Sequence, residues 1–114
     1  MTSPITTHIL DTAAGRPAAG VAVTLERCRG DGSWHAIGTG TTDGDGRVAD
    51  LMEPGSLSVG RYRISFDVGP YHDGQGVRGF YPDVSIAFRV DAADEHYHVP
   101  LLLNPFGYST YRGS

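Results

Sequence analysis

The stretch Arg61–Val68 reads RYRISFDV, and it decides the fold class. Its apolar side chains occupy every second position, and charged or small polar side chains lie between them. Because successive side chains of a strand point to opposite faces, this alternation predicts a half-buried β-strand. The same pattern recurs in Val21–Leu25, Val84–Val90 and Tyr97–Leu103. Trp34–Thr41 is a weaker candidate for a fifth strand, because glycines interrupt it.

Turn-forming residues separate these segments. The 16 Gly and 7 Pro among 114 residues are an above-average share, and in a chain with clear apolar alternation they indicate turns between short strands rather than disorder. No window of a dozen residues has helical periodicity, and at most one short helix fits near Pro70–Tyr81. The pattern predicts one all-β domain, residues 1–114, built as an antiparallel β-sandwich.

The composition argues against several classes of partner. The chain has 9 Lys and Arg against 13 Asp and Glu, a net charge of -4, and no basic patch, so a nucleic-acid partner is not expected. No apolar run approaches the length of a membrane span, so no membrane partner is expected. The single cysteine, Cys28, cannot form an internal disulfide, and Met1–Pro4 lacks the features of a secretory signal. A cytoplasmic location is therefore expected.

Three histidines and one arginine are placed where they are available for chemistry. On strands, His96 and His98 share a face opposite Tyr97, and His8 lies opposite Ile9, so none is forced into the core. Each is either an ordinary surface histidine or a proton-transfer group, because imidazole titrates near neutrality. Arg47 follows a dense turn and is either a solvated strand-start residue or an anion clamp.

Metal and nucleophile alternatives are weaker. His96 and His98 with His8 have a spacing that zinc permits, but the pattern is weakly specific. The turn Asp43–Gly46 is similar to a calcium loop, but Arg47 stands where that loop needs an oxygen ligand and Val48 stands where it needs its glycine. Cys28 lies between two arginines without a nearby base. We therefore predict no metal or cofactor, and general acid/base chemistry on water.

The chain ends in Tyr111-Arg112-Gly113-Ser114, a segment called the tail below. A phenol, a guanidinium, a flexible glycine and a free carboxylate come together within these four residues. Most termini fray and carry no such chemistry, so the tail is predicted to complete a binding site.

Longer segments carry a family resemblance. His8–Ala18 resembles the N-terminal signature of the transthyretin-like family, and Tyr97–Ser109 resembles its C-terminal signature. Thr42–Arg47 and Gly60–Tyr62 also fit. The tail is similar to the one that separates the enzymatic branch, the 5-hydroxyisourate hydrolases, from the hormone-carrying transthyretins.

The resemblance implies a fold, an assembly and a set of site residues. The implied fold is a transthyretin-like sandwich of two sheets with one short helix, assembled as a homotetramer, a dimer of dimers with active sites between the dimers. The implied reaction opens the ring of 5-hydroxyisourate with water and needs no cofactor. The residues implied as catalytic are His8, Arg47, His98 and Ser114, and those implied as substrate-binding are His8, Arg47, Tyr111, Arg112 and Gly113.

Some questions stay open at this level. His98 is favoured as the base that takes the proton from water, with His8 as the alternative. Asn104 stands where the family commonly has serine, and we expect a structural variation without loss of activity. A non-enzymatic carrier of small aromatic ligands is the alternative function, although a lining of histidine and arginine suits an apolar ligand poorly.

Overall fold

The computed structural model describes residues 3–114 as two β-sheets and one short helix. In chain order, the elements are β1 (Ile5–Asp11), β2 (Arg16–Pro17), β3 (Ala22–Cys28), β4 (Trp34–Thr41), β5 (Arg47–Val48), β6 (Gly60–Asp67), α1 (Gly69–Gly74), β7 (Val84–Val90), β8 (Tyr97–Asn104) and β9 (Gly107–Thr110). The first sheet has the order β2-β1-β8-β9, with β5 also paired to β1. The second sheet has the order β4-β3-β6-β7. The predicted all-β sandwich of two sheets with one short helix is confirmed.

One strand pair departs from the predicted antiparallel pattern. β1 and β8 run parallel, in a register that begins at Ile5 beside Tyr97 and ends at Asp11 beside Leu103. Every other pairing among the described strands is antiparallel. Side chains alternate between faces in both kinds of strand, so the alternation in the sequence carries no information about direction.

The core lies between the two sheets. In the stretch Arg61–Val68, every second side chain is fully buried, as its alternation predicts. The matching positions of β1, β3 and β8 fill the core from the other strands, and the central ones are Ile5, Ile9, Val23, Leu25, Leu101 and Leu103. Burying one face of β1 and β8 leaves their other face outside, and this outer face carries the polar side chains described below.

Helix α1 is anchored to the end of β1. The Tyr71 hydroxyl donates to Asp11 Oδ2 at 2.6 Å, and the backbone N–H groups of Ala13 and Ala14 donate to Oδ1. Burial raises the pKa of Asp11, but these hydrogen bonds and the nearby His72 outweigh it, and the net pKa is lowered. Burial and the bonded Asp11 raise the pKa of Tyr71 to about 12. Within residues 3–114, no helix has the length and apolar character needed to cross a membrane.

Candidate active site

The outer face of the first sheet brings β1 and β8 together at Thr6 and His98. The parallel register places these two residues side by side, and both are half-buried. The Thr6 hydroxyl lies 2.8 Å from His98 Nδ1 and 3.0 Å from His96 Nε2, so it bridges two imidazole rings. The His8 ring is two positions further along β1, with its centroid 6.5 Å from that of His98.

A tight turn delivers Arg47 to the same face. The Asp43 carboxylate accepts hydrogen bonds from the backbone N–H groups of Asp45 (2.9 Å) and Arg47 (3.0 Å), which closes the turn. The strand β5 that follows pairs antiparallel with β1, and Arg47 is the direct partner of His8. Because cross-strand partners point to the same face, the guanidinium joins the histidines on the outer face of the sheet.

The tail returns to His98 through its last two residues. The Gly113 N–H donates to the His98 carbonyl oxygen at 2.8 Å, and the two residues form a β-bridge. A Cβ atom at position 113 would lie only 2.6 Å from His98 Cδ2, so the backbone packs directly on the ring edge. Only glycine allows this approach without displacing the imidazole.

These side chains line an open groove of about 240 Å³, called the His98 groove below. Its polar lining includes Thr6, Arg47, His96, His98 and Ser114. Residues from β1, β5, β8 and the terminus therefore meet at one place, although they are as far apart in sequence as Thr6 and Ser114.

The environment of His98 keeps its imidazole neutral. Burial lowers the pKa of His98, and the electrostatic influence of Arg47, His8 and His96 lowers it further. With Nδ1 bonded to Thr6, Nε2 is the ring nitrogen left to act on a molecule in the groove. A neutral histidine with one unprotonated nitrogen is the form that can accept a proton from water.

Within a single chain, the side chains of Tyr111 and Arg112 lie outside the His98 groove. Arg112 pairs with Glu95 at 3.1 Å and lies over the ring of Tyr97, 4.4 Å from its centroid. Tyr111 is 58% exposed and, with Arg112, lines a second groove beside β7. The structure thus brings His8, Arg47, His98, Gly113 and Ser114 together but leaves these two predicted substrate-binding side chains outside the His98 groove.

Sequence reasoning missed two polar residues of the groove. Thr6 is a common strand residue, and nothing in its local sequence marks it as the bridge between two histidines. His96 was considered as a surface, proton-transfer or zinc-binding histidine, but it was left out of the predicted site. Among the described residues 3–114, no group of three His, Cys, Asp or Glu side chains is arranged to hold a metal ion.

Fold and groove together define a small β-sandwich protein with a groove lined by histidine and arginine on the outer face of one sheet. The chain belongs to the HIUase/Transthyretin family, whose model matches residues 5–113. It is 44% identical over 110 residues to a 5-hydroxyisourate hydrolase of Salmonella typhimurium, covering 96% of this chain and 80% of the relative. It is 49% identical over 115 residues to 5-hydroxyisourate hydrolase 2 of Rhizobium meliloti, covering 96% and 95%.

Solved structures of both branches superpose on the chain. Sea bream transthyretin in complex with thyroxine matches with a TM-score of 0.92 and 34% identity, over 97% of this chain and 95% of that one. Klebsiella pneumoniae 5-hydroxyisourate hydrolase matches with a TM-score of 0.84 and 34% identity, over 99% and 98%. Backbone shape therefore does not separate the carrier from the hydrolase, and the distinction depends on the side chains of the site.

Proposed function

We propose that this chain hydrolyses 5-hydroxyisourate to 2-oxo-4-hydroxy-4-carboxy-5-ureidoimidazoline, a step of urate degradation. The relatives at 44% and 49% identity that are named 5-hydroxyisourate hydrolases support this activity. The observation that carries it is the His98 groove, which combines a histidine held neutral, a permanent cation and the terminal residue. This set of groups suits attack of water on a carbonyl and requires no cofactor.

In this reaction His98 is the general base. Its Nε2 accepts a proton from the water molecule as the oxygen attacks the ring amide carbonyl of the substrate. Proton transfer by a positioned side chain contributes about 100- to 10,000-fold to a rate. His8 is the alternative base, but it is Nδ1 of His98 that is fixed by a hydrogen bond within the groove. We therefore assign His8, whose ring lies beside that of His98, to substrate binding.

Arg47 is the electrostatic group of the site. Its guanidinium holds the anionic substrate and stabilises the negative charge that develops on the attacked carbonyl oxygen. One well-placed donor of this kind is worth roughly 3 kcal/mol in the transition state. The same positive charge disfavours protonation of His98, so Arg47 also keeps the base in its active form.

The tail completes the site in this proposal. Gly113 packs on the ring edge of His98, and Ser114 lines the groove together with Arg47 and His98, where we assign it to orienting the charged side chains. Tyr111 and Arg112 contact the heterocycle only after leaving their positions beside Tyr97 or by reaching the site of a neighbouring subunit. The second route places substrate binding at a contact between chains.

We further propose a homotetramer, a dimer of dimers with the His98 grooves at the contact between dimers. Two observations support an assembly: the grooves face outwards, and large aromatic side chains are exposed near β9, with Phe80 70% and Phe106 75% exposed. Exposed apolar patches of this kind mark interaction surfaces.

Residues 1–114 act as one domain in this proposal. The proposed location is the cytoplasm, because the unpaired Cys28 suits a reducing compartment.

A carrier function is the second candidate, because sea bream transthyretin binds thyroxine and has the same backbone shape. The charged lining of the His98 groove disfavours it, since an apolar ligand would desolvate Arg47 and the histidines without replacing their hydrogen bonds.

The two candidates differ in one measurement. We expect the purified protein to accelerate the decay of freshly generated 5-hydroxyisourate, followed by ultraviolet absorbance, in buffer that contains a metal chelator. Thyroxine titrated into the same preparation is expected to give no saturable binding. Decay at the buffer rate together with saturable thyroxine binding would overturn the hydrolase and establish the carrier.

Replacing Gly113 with alanine tests the role of the tail. The new Cβ would lie 2.6 Å from His98 Cδ2, so the imidazole or the tail must move. Because a displacement of about 1 Å at a reacting group can cost 100-fold, we expect kcat to fall by up to about 100-fold. Gly30→Ala is the matched control, since its Cβ would meet nothing within 4 Å. Wild-type kcat in a folded Gly113→Ala protein would show that the tail does not position His98.

A further inference from the structure

The Thr6 hydroxyl has contacts that the reaction described so far does not use. It lies between His98 Nδ1 and His96 Nε2, at 2.8 Å and 3.0 Å. A hydroxyl has one hydrogen to donate and lone pairs that accept, so it donates to one ring and accepts from the other. The two arrangements are opposite in direction, and each fixes the tautomer of both histidines at once.

The requirement for a base selects one arrangement. For His98 to accept a proton at Nε2, its own hydrogen must be on Nδ1, which then donates to Thr6 Oγ1. The Thr6 hydroxyl hydrogen then points to His96 Nε2, which is unprotonated. A continuous line of hydrogen bonds therefore runs from His98 through Thr6 to His96, and His96 is exposed to solvent.

The positive charge of Arg47 near His98 gives these hydrogen bonds a possible role in moving a proton away from His98. When His98 takes a proton from water, a second positive charge forms beside Arg47 and His8 in a half-buried position. His96 is exposed, so water stabilises an imidazolium there at lower cost.

We propose that Thr6 and His96 form a proton relay behind His98, and that Thr6 is the positioning residue that selects the tautomer of the base. The proposal rests on the hydrolase function given above. As the water oxygen bonds to the substrate carbonyl carbon, its proton goes to His98 Nε2. The Nδ1 proton of His98 moves to Thr6 Oγ1, and the hydroxyl proton of Thr6 moves to His96 Nε2.

The relay runs backwards when the ring opens. The carbon–nitrogen bond of the substrate breaks, and His98 Nε2 gives its proton to the leaving nitrogen. His96 returns its proton through Thr6 to His98 Nδ1, which restores the starting tautomers. The sum is one water molecule added across one carbon–nitrogen bond, and no other reactant is consumed.

Thr6→Val and Thr6→Ser separate the hydroxyl from the shape of the side chain. Valine keeps the β-branched form that suits a strand but removes the bridge, whereas serine keeps the hydroxyl. We expect Thr6→Val to lower kcat by about 10- to 100-fold, the usual cost of losing the partner that orients a functional histidine, with little change in KM. Thr6→Ser should recover most of kcat. Thr39→Val, at an exposed threonine of the second sheet, is the matched control and should leave kcat unchanged.

The substitution His96→Gln tests whether His96 takes up a proton or only accepts a hydrogen bond from Thr6. The glutamine side-chain oxygen can still accept from Thr6 but cannot take up a proton. We expect kcat to fall about tenfold or more, within the range of a lost proton-transfer group, and to rise again with added imidazole buffer. His35→Gln, at an exposed histidine of β4, is the control.

Nitrogen-15 NMR of the imidazoles gives a readout that does not depend on turnover. In the wild-type protein the neutral His98 is expected to carry its hydrogen on Nδ1, and in Thr6→Val this preference is expected to be lost. An inactive wild type that keeps the expected tautomer would overturn the proposed function and the catalytic use of the relay. An active wild type with unchanged kcat and His98 tautomer in Thr6→Val would overturn the relay alone.

Discussion

Replacing His98 with asparagine is expected to lower kcat on 5-hydroxyisourate by about 100- to 10,000-fold, the contribution of a positioned general base. Asparagine is the sharpest substitution, because its amide reaches the position of Nδ1 and can keep the hydrogen bond to Thr6. It has nothing in the place of Nε2, the nitrogen assigned to the water proton. The variant therefore removes the base while it preserves the local hydrogen bonding.

The pH dependence of kcat/KM in the wild type reports the titration of His98, the group that is removed in His98→Asn. Burial, Arg47, His8 and His96 all lower the pKa of His98, and activity requires the neutral ring. As pH falls through this lowered pKa, His98 becomes protonated and kcat/KM falls. Activity is therefore at its plateau at neutral pH, and the acidic limb lies below the ordinary range of histidine. In His98→Asn this limb should disappear from the residual activity.

His35→Asn is the matched control for this prediction. His35 is an exposed histidine of β4 on the second sheet, bonded to Arg29 and remote from the His98 groove. It should keep wild-type kcat and the wild-type acidic limb. Circular dichroism and thermal unfolding should be similar for both variants. A folded His98→Asn protein with wild-type kcat would remove His98 from the role of base and leave His8 as the candidate.

Much of the fold could be predicted from local pattern. Alternation in Arg61–Val68, Val84–Val90 and Tyr97–Leu103 predicts β6, β7 and β8, because one buried face imposes a period of two on the sequence. Trp34–Thr41 forms a complete strand despite its glycines. There the glycines allow close packing: a Cβ at Gly38 or Gly40 would collide with Leu51 or Val48.

Other features are set by tertiary contacts that leave no local pattern. The two-residue strands β2 and β5 are too short for a period, although β5 determines where Arg47 points. The parallel pairing of β1 and β8 has the same side-chain alternation as an antiparallel one. Yet this register is what places Thr6 beside His98.

The orientation of the tail residues is also set by tertiary contacts that the local sequence does not reveal. Their chemistry indicates a site, but which of them faces His98 depends on the β-bridge between Gly113 and His98 and on the pairing of Arg112 with Glu95. A single chain satisfies both contacts at once, so Tyr111 and Arg112 turn away while Ser114 enters the groove. The proposed tetramer supplies the remaining surface from a second chain, which is why the tail is informative in sequence and incomplete in one chain.

Replacing Arg47 with alanine is expected to lower kcat/KM by about 100- to 1,000-fold, the cost of removing one preorganised donor from a developing oxyanion. Arg47→Lys should recover only part of this loss, since an ammonium group keeps the charge but lacks the planar fork that binds two oxygens. Arg61→Ala is the matched control, because Arg61 lies on the outer face of the second sheet. It removes the same charge from the protein without touching the His98 groove.

Arg47→Ala is also expected to change the pH dependence of kcat/KM, which a purely structural defect would not do. Arg47 is the permanent cation among the groups that act on His98, and its charge lowers the pKa of that ring. Removing the guanidinium of Arg47 makes protonation of His98 easier, so the pKa of His98 rises. The acidic limb of kcat/KM therefore shifts to higher pH. Arg47→Lys, which keeps the charge, should leave the limb close to its wild-type position. A large loss of activity in Arg47→Ala with an unshifted limb would mean that the guanidinium binds the substrate without acting on the base.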